Sequence, residues 1–266
     1  MTSTGPGPLI RQRRERRGLT QLELSAQTGV SARHTSFIET GRSRPSRDLV
    51  LKLSTHFEVP IRERNQLLVA AGYAPDFDAT PLGEPAMEAV RAAVRVVLDG
   101  HGSIPAIVVD RAWNVVESNA AVSVLLQDVA PELLEPPVNS MRVAMHPHGM
   151  APHIRNLGQW RSSVLDQLRR QVEASGSREL ATLYEELSGY PGGDVEGSGD
   201  GVAIPMKLEV NGLQLSFLMT IATFGTPLDV AVSELVIEAF YPADATTAEF
   251  LARNRVLNAE GSQPPG

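Results

Sequence analysis

The sequence predicts two folded domains: an all-helical domain first, and then an α+β domain built on an antiparallel sheet. Three observations lead to this prediction. At roughly 150 residues per domain, the 266 residues suit one large domain or two small ones. Apolar residues have helical spacing in residues 9–73, whereas strand-forming runs are frequent in residues 84–258. Between them, residues 74–83 are rich in Pro, Gly and Asp, which is typical of a linker.

Charge is divided unequally along the chain. The net charge of −7 by itself argues against a nucleic-acid partner. Residues 1–66, however, hold twelve Lys and Arg against six Asp and Glu, so this segment carries +6 and the rest carries −13. Eleven of the twelve cations are arginines, which form two-point contacts with phosphate or guanine. The basic segment therefore indicates a nucleic-acid partner, although a single arginine can equally be a solvated surface charge.

Composition excludes several classes of protein. There is no cysteine, which rules out a disulfide scaffold, a thiolate metal site and a cysteine nucleophile. No apolar run approaches the ~18 residues that span a bilayer, and residues 1–8 lack the apolar core of a signal peptide. We therefore expect a cytoplasmic protein without a membrane partner. The sequence contains no Walker loop and no Gly-x-Ser-x-Gly elbow, so an enzyme is not expected.

A helix-turn-helix is predicted within the basic segment. Thr20 caps a helix, and Glu23 completes a capping box with it. Gly29 supplies a tight turn, and Ser31 caps a second helix that stops at Gly41. Two short helices joined through a glycine turn have the geometry of a helix-turn-helix.

Three further helices complete the helical domain. One begins at Leu9 and precedes the pair, Ser46 caps the next, and Pro60 introduces the last. Thr28 and Thr35 stand where a larger aliphatic residue is usual, so we expect the helix pair to be slightly underpacked.

Four motifs of this domain carry a resemblance to a known family. They are Arg16-Arg17-Gly18-Leu19-Thr20-Gln21, Gly29-Val30-Ser31, Ser36-Phe37-Ile38-Glu39-Thr40-Gly41-Arg42 and Arg44-Pro45-Ser46-Arg47. With them the segment resembles the lambda-repressor-like domain of XRE-family regulators. The resemblance implies binding to double-stranded operator DNA. We expect a homodimer, because one small helix-turn-helix contacts only a half-site.

The second helix of the pair is expected to enter the major groove with its first residues at the base edges. Arg33 is the best candidate for two-point recognition of guanine, whereas Ala32 offers only a methyl contact to thymine. The residues expected at or beside base edges are Ser31, Ala32, Arg33, His34, Ser36 and Phe37.

Phosphate contacts are expected from the start of the first helix and from the loop after the second. The resemblance assigns a phosphate contact to Gln21, which the helix dipole would support. For the loop arginines the alternative is a salt bridge to Glu39 or Asp48, and Glu39 itself is expected to be a structural partner. The residues expected at phosphates are Gln21, Arg42, Arg44 and Arg47.

The second domain is predicted to contain two strands, a helical insert and three more strands. This order suits a five-stranded antiparallel sheet with helices over one face, a PAS-like plan. Residues 189–201 are expected to form a mobile loop, and residues 1–8 and 259–266 flexible tails. Helices are predicted at residues 85–98 and 119–126, within 139–188, and from Thr246 onward. Strands are predicted at residues 105–110, 115–117, 202–210, 213–224 and 230–241, with a hairpin turn at Asn211-Gly212.

A second set of motifs lies in this domain. The set comprises Leu98-Asp99-Gly100-His101, Pro105-Ala106-Ile107-Val108-Val109-Asp110-Arg111, Trp113-Asn114, Asn119, Asn139, Arg142, His146-Pro147, Phe224-Gly225-Thr226-Pro227-Leu228-Asp229 and Glu238-Ala239-Phe240-Tyr241-Pro242-Ala243-Asp244. With these motifs the domain resembles the ligand-binding domain of MmyB-like transcription regulators. The resemblance implies a PAS-like domain with an apolar pocket, for which a fatty-acyl ligand has been considered.

Apolar residues of the second domain are candidates for the pocket walls, and ordinary core packing is the alternative for each. Arg142 and Arg155 either meet a ligand carboxylate or bridge to Glu132 or Glu135. The wall candidates are Trp113, Leu157, Trp160, Val164, Leu168, Phe217 and Met219.

No cofactor and no metal are expected. The acids Asp194, Glu196 and Asp200 lack the spacing of a calcium-binding loop. A cluster of histidines has no acidic ligand at suitable spacing. These histidines are His146, His148 and His153.

The sequence thus predicts a sequence-specific DNA-binding transcriptional regulator whose C-terminal domain binds a small apolar effector that modulates operator binding. The alternative is a DNA-binding regulator whose acidic C-terminal domain is a dimerisation and protein-interaction platform without a small ligand.

Overall fold

The computed structural model divides the chain into two compact units. One contains Met1–Pro81 and Thr226–Ser233, and the other contains Leu82–Gly225 and Glu234–Gly266. The boundary near residue 81 lies within the segment predicted as a linker. The residues that the structure describes are 5–192, 204–225 and 229–260.

The first unit is helical. Its first helix begins at Pro6 rather than at the predicted Leu9, because proline suits a position where the backbone N–H has no helical partner. Gly7 is buried, and a Cβ at this position would lie 2.3 Å from the carbonyl oxygen of Ile38, so only glycine allows this approach. The helices are α1 (Pro6–Arg16), α2 (Gln21–Thr28), α3 (Ala32–Glu39), α4 (Arg47–His56) and α5 (Ile61–Ala70).

The predicted helix caps of this unit are confirmed. Thr20 and Glu23 form the reciprocal capping box, in which the Glu23 carboxylate accepts the Thr20 N–H at 2.7 Å. Gly29 has a left-handed backbone with φ of 70°. Ser31 and Ser46 cap α3 and α4 with their side chains. Burial of apolar side chains then fixes the helices against one another, with Ile10, Leu24, Ile38, Leu53 and Leu68 in the core.

The second unit is an α+β fold. Short 3-10 turns occur at Pro85–Met87, Ala120–Leu125, Pro131–Leu134 and Ala151–His153. The α-helices and strands after α5 are α6 (Glu88–Gly100), β1 (Ala106–Val109), β2 (Val115–Ser118), α7 (Ser140–Met145), α8 (Leu157–Ser175), α9 (Arg178–Ser188), β3 (Met206–Val210), β4 (Leu213–Thr223), α10 (Val230–Ser233, in the first unit), β5 (Val236–Pro242) and α11 (Ala245–Glu260).

In the described residues the sheet has five strands in the order β2-β1-β5-β4-β3, and every neighbouring pair is antiparallel. This confirms the predicted architecture. The expectation that helices cover one face is wrong. Side chains alternate along β1, so Ile107 and Val109 join the large core with α8 and α9, whereas Ala106 and Val108 pack with Val94 and its neighbours on α6.

Another difference concerns residues 230–241, which the sequence predicted to form a single strand. Residues 230–233 form α10 instead, and β5 begins only at Val236. Asp229 precedes α10, and its carboxylate accepts the Ala231 N–H at 2.7 Å, which is the bond of a helix-capping residue. Most of the predicted loop, residues 193–201, lies outside the described residues. Within the described ranges no helix is long and apolar enough to cross a membrane.

Candidate DNA-binding surface and candidate ligand cavity

The start of α3 in the helix pair α2 and α3 forms an exposed surface. Ser31, Arg33 and His34 are exposed at the start of α3. Ala32, Ser36 and Phe37 are half-buried beside them, so all six positions expected near base edges remain accessible. The Arg33 guanidinium lies 5.4 Å from the centroid of the Phe37 ring. This cation–π contact restricts the arginine without occupying its N–H groups.

Below that surface a buried network joins three helices. Arg14 donates to Glu39 through Nε at 2.7 Å and Nη2 at 3.0 Å, which raises the pKa of Arg14 above its ordinary value. Gln21 donates from Nε2 to Glu39 Oε2 at 2.8 Å. Glu39 is therefore a structural partner, as expected. Because an amide nitrogen has two hydrogens, the bond to Glu39 leaves the second N–H of the Gln21 amide available.

The three loop arginines differ in what they contact. In the described part of the chain, Arg42 has no side-chain hydrogen bond or ion pair, and it is exposed. Arg44 donates to the carbonyls at the end of α5, with 2.8 Å to the Gly72 oxygen, and its guanidinium lies 4.7 Å from the Tyr73 ring centroid. Arg47 forms its ion pair with Asp76 rather than with Glu39 or Asp48.

The second unit contains an apolar cavity of about 350 Å³ between the sheet and the helices α7 and α8. This volume is within the range of small-molecule sites. Of the expected wall residues, Trp113, Trp160, Val164 and Met219 line it, whereas Phe217 is fully buried in the surrounding core. The lining also includes Ile107, Ser118, Val122, Leu125, Ser140, Met141, Val143, Ala144, Met206, Glu238 and Phe240. Leu157 and Leu168 pack outside the lining.

A tight turn between β1 and β2 positions Trp113. The Asp110 carboxylate accepts the backbone N–H groups of Ala112 at 2.8 Å and Asn114 at 2.9 Å. Trp113 between them has a φ of 67°, a conformation that the two bonds stabilise. Its indole N–H donates to Gln171 on α8 at 3.1 Å. The ring is thereby fixed against the cavity.

The two arginines expected at a ligand carboxylate do not line the cavity. Arg142 forms a two-point ion pair with Glu186, which raises the pKa of Arg142 and lowers that of Glu186. Burial, together with a hydrogen bond to the same carboxylate, raises the pKa of Tyr190 to about 12. Arg155 pairs with Glu209. The acids expected as their alternative partners, Glu132 and Glu135, are not those observed.

Glu238 is the ionisable residue of the lining, and sequence reasoning missed it. Glu238 lies on β5 and is 4% exposed. Burial raises the pKa of its carboxyl group to about 7. The available signal was its position in the strand: Val236, Glu238 and Phe240 alternate with Ile237 and Ala239, which places a carboxylate on an otherwise apolar face.

The histidine cluster forms no metal site in the described residues, where no group of three His, Cys, Asp or Glu side chains could hold an ion. Instead, His146 Nδ1 accepts the backbone N–H of His148 at 3.0 Å. Asp194, Glu196 and Asp200 lie outside the described residues.

A helix-turn-helix unit followed in the chain by an α+β domain with an apolar cavity is the arrangement of a DNA-binding regulator that carries a ligand-binding domain. Comparison with known proteins shows which family this is. A family model described as the MmyB-like transcription regulator ligand binding domain matches residues 90–253, and a helix-turn-helix model matches residues 10–64. The chain belongs to the MmyB-like transcription regulators and is a DNA-binding transcriptional regulator.

Curated relatives point to the same class. Uncharacterized HTH-type transcriptional regulators of Mycobacterium bovis and of two Mycobacterium tuberculosis strains are each 28% identical to this chain over 205 residues. The alignment covers 68% of this chain and 78% of each relative. The matched domains and relatives are those of transcription regulators and not of enzymes.

Proposed function

We propose that a small apolar effector binds in the cavity of the C-terminal domain and thereby changes the affinity of the protein for its operator. The observation that carries this proposal is the apolar cavity itself, which lies in the part of the chain matched by the ligand-binding family model. Two tryptophans and several methionines line it, and such side chains suit a hydrocarbon ligand. A fatty-acyl chain is the effector class that the resemblance implies.

For operator binding, we propose that α3 reads bases in the major groove and that Arg33 makes the main specific contact. Its exposed guanidinium at the start of α3 supports this role. Ser31, Ala32, His34, Ser36 and Phe37 form the rest of the reading surface. The proposed phosphate contacts are those of Gln21, Arg42, Arg44 and Arg47.

We also propose that the protein binds as a homodimer, because a second helix-turn-helix is needed for the other half-site of a palindromic operator. We expect it to act in the cytoplasm, where its DNA target is. Sedimentation of the protein with and without operator measures the stoichiometry. Two protein chains per operator support the dimer, and one chain on a site without two-fold symmetry contradicts it.

The effector proposal is tested in two steps. Native mass spectrometry of the purified protein detects any co-purifying apolar molecule. An operator selected from a random DNA pool is then used to measure affinity with and without that molecule, or with a short-chain alcohol as a probe. We expect occupancy of the cavity to change operator affinity by about fivefold or more, as is usual for coupled sites.

A pair of variants controls this experiment. Ala144 lines the cavity, so Ala144→Phe should fill it and abolish the response. Ala93 is exposed on α6, so Ala93→Phe adds the same ring elsewhere and should leave the response intact. A wild-type protein with no co-purifying mass, no ligand-induced melting shift and no change in operator affinity would instead support the protein-interaction platform.

A further inference from the structure

The carboxyl group of Glu238 is in the centre of the sheet and on the cavity face. In the antiparallel register, Glu238 pairs with Ile107 on β1 and with Ile221 on β4. Directly opposed residues of an antiparallel pair extend to the same face. The carboxyl group is therefore flanked by two isoleucines, and the next strand adds Ser118 opposite Ile107.

Within the ranges that the structure describes, no charged or hydrogen-bonding side chain compensates this carboxyl group. Among the residues that the structure describes, its side chain has no hydrogen bond and no ion pair, and it is the only ionisable side chain that lines the cavity. Besides Glu238, the polar side chains of the lining are the hydroxyls of Ser118 and Ser140 and the indoles of Trp113 and Trp160, of which the Trp113 indole donates to Gln171. Both arginines that sequence reasoning assigned to the pocket are paired elsewhere, with Glu186 and Glu209.

The chemistry of the cavity follows from these contacts. A buried carboxylate is costly unless a cation or several hydrogen-bond donors accompany it. Burial alone raises the pKa of Glu238 to about 7, so its charged form is accessible at neutral pH if a ligand stabilises it. A ligand carboxylate would add a second negative charge beside Glu238 in a lining without a cation. An ammonium group would supply the missing partner.

We propose that this cavity selects an apolar ligand that carries a protonated amine, and that the amine pairs with the carboxylate of Glu238. This proposal rests on the proposed function, because it names the head group of the effector that the cavity would bind. The apolar walls hold the hydrocarbon part, and Glu238 decides which head group is accepted.

The cavity contains its own probe, because the two tryptophans of the chain, Trp113 and Trp160, both line it. Tryptophan fluorescence therefore reports occupancy directly. We would titrate the full-length protein at neutral pH with octylamine, octanol and octanoate, which share a chain and differ in head-group charge. Octylamine should bind at least about tenfold more tightly than octanol, and octanoate more weakly than octanol.

Variants separate the role of Glu238 from ligand binding itself. Glu238→Gln should remove the preference, so that octylamine and octanol bind within about threefold of each other. Glu185→Gln removes an exposed negative charge on α9, outside the lining, and should keep the preference.

Other outcomes overturn the proposal in distinguishable ways. If all three probes bind alike to the wild-type protein, the cavity binds ligands and the role of Glu238 is refuted. If octanoate binds most tightly and Glu238→Gln weakens it, a protonated carboxyl donates to a ligand carboxylate, and the amine is refuted. If none of the probes changes the fluorescence while operator binding is intact, both the amine and the proposed effector site fail.

Discussion

Arg142 and Glu186 form a two-point ion pair in which the Nε–Oε1 and Nη2–Oε2 distances are both 2.7 Å. The pair joins α7 to α9. Because α7 also carries Met141 and Val143 into the cavity lining, the pair holds a wall of the cavity in place from outside. Arg142 is thus paired within the protein, whereas the sequence analysis expected it either to meet a ligand carboxylate or to bridge to Glu132 or Glu135.

We expect Arg142→Met to lower the free energy of unfolding by about 1 kcal/mol, since the two side chains are 42% and 31% exposed and solvent screens the pair. The pKa of Glu186 is lowered in the fold, so the contribution of the pair is complete above the ordinary pKa of 4.5 and is lost as the pH falls through the lowered value. Urea unfolding at neutral and acidic pH measures both effects. A selective loss of octanoate binding in Arg142→Met, with stability unchanged, would instead assign Arg142 to the ligand.

Thr28 and Thr35 are both buried in the helix pair, at 7% and 1% exposure, yet we expect opposite effects when each is replaced by valine. The Thr28 hydroxyl donates to the Leu24 carbonyl at 2.6 Å and accepts the Val30 N–H at 3.3 Å. The Thr35 hydroxyl has no partner in the described residues. Thr28→Val should therefore cost about 1–2 kcal/mol, whereas Thr35→Val should add about 1 kcal/mol.

Thermal unfolding of the two variants tests this prediction. Each variant is the control for the other, because both substitutions replace a hydroxyl group by a methyl group. A lower melting temperature for Thr35→Val would show that its hydroxyl has a partner after all.

Alanine variants of Arg42 and Arg44 should differ in how they change DNA affinity and protein stability. Arg42→Ala should leave the melting temperature unchanged, weaken binding to all DNA sequences, and reduce the salt slope by about 1. Arg44→Ala removes the bonds to the end of α5 and the contact with the Tyr73 ring, so its melting temperature should fall. Salt titrations and thermal unfolding of both variants provide the measurements. Equal melting temperatures for the two variants would contradict the structural role of Arg44.

The helix-turn-helix could be predicted because its signals are local. The capping box of Thr20 and Glu23 and the turn at Gly29 each depend on residues within a few positions of one another. The role of Arg44 could not be predicted in the same way, because its acceptors follow 27 and 28 residues later. The burial of Gly7 likewise depends on its close approach to α3, which follows much later in the chain. The local sequence pattern gives no sign of this contact, and it therefore assigned Gly7 to a flexible tail.

The strands and the cavity were predictable to different degrees. Runs of β-forming residues and the Asn211-Gly212 turn predicted the strands. The Asp229 side chain, which caps α10, overrides the strand preference of Val230 and Val232. The identity of the lining depends on which face of each strand meets the helices. The packing of the whole unit determines which face that is, and local sequence patterns do not reveal it. For this reason the sequence analysis did not foresee that Glu238 lines the cavity and that Arg142 and Arg155 do not.

Arg33→Ala should reduce discrimination between the selected operator and random DNA by about 1–3 kcal/mol, because a two-point contact to guanine would be lost. Arg33→Lys keeps the positive charge and loses the planar geometry, so it should lose specificity but retain affinity for random DNA. Competition binding with operator and random duplexes at fixed salt separates the two effects. An equal loss on both kinds of DNA for Arg33→Ala would refute a base-reading role.

Glu238 should make the stability of the protein depend on pH even without ligand. Its pKa is raised from 4.5 to about 7 by burial, so the folded state binds this proton more strongly than the unfolded state does. Its flanking residues on β1 and β4 are Ile107 and Ile221, and no charged side chain in the described lining faces it. Stability is therefore highest below the unfolded pKa and is lost as the pH rises through the folded value.

Glu238→Gln removes this titration, so we expect the variant to gain stability over the wild type as the pH rises from about 5 to about 8, by at most about 3 kcal/mol. Urea unfolding of both proteins across this range measures the difference, and Glu185→Gln, which alters an exposed carboxylate, should follow the wild-type curve. Parallel curves for the wild type and Glu238→Gln would mean that the carboxyl group is solvated in the folded protein. In that case the sheet would tolerate its charge without a partner, and the head-group preference of the cavity would have to come from another residue.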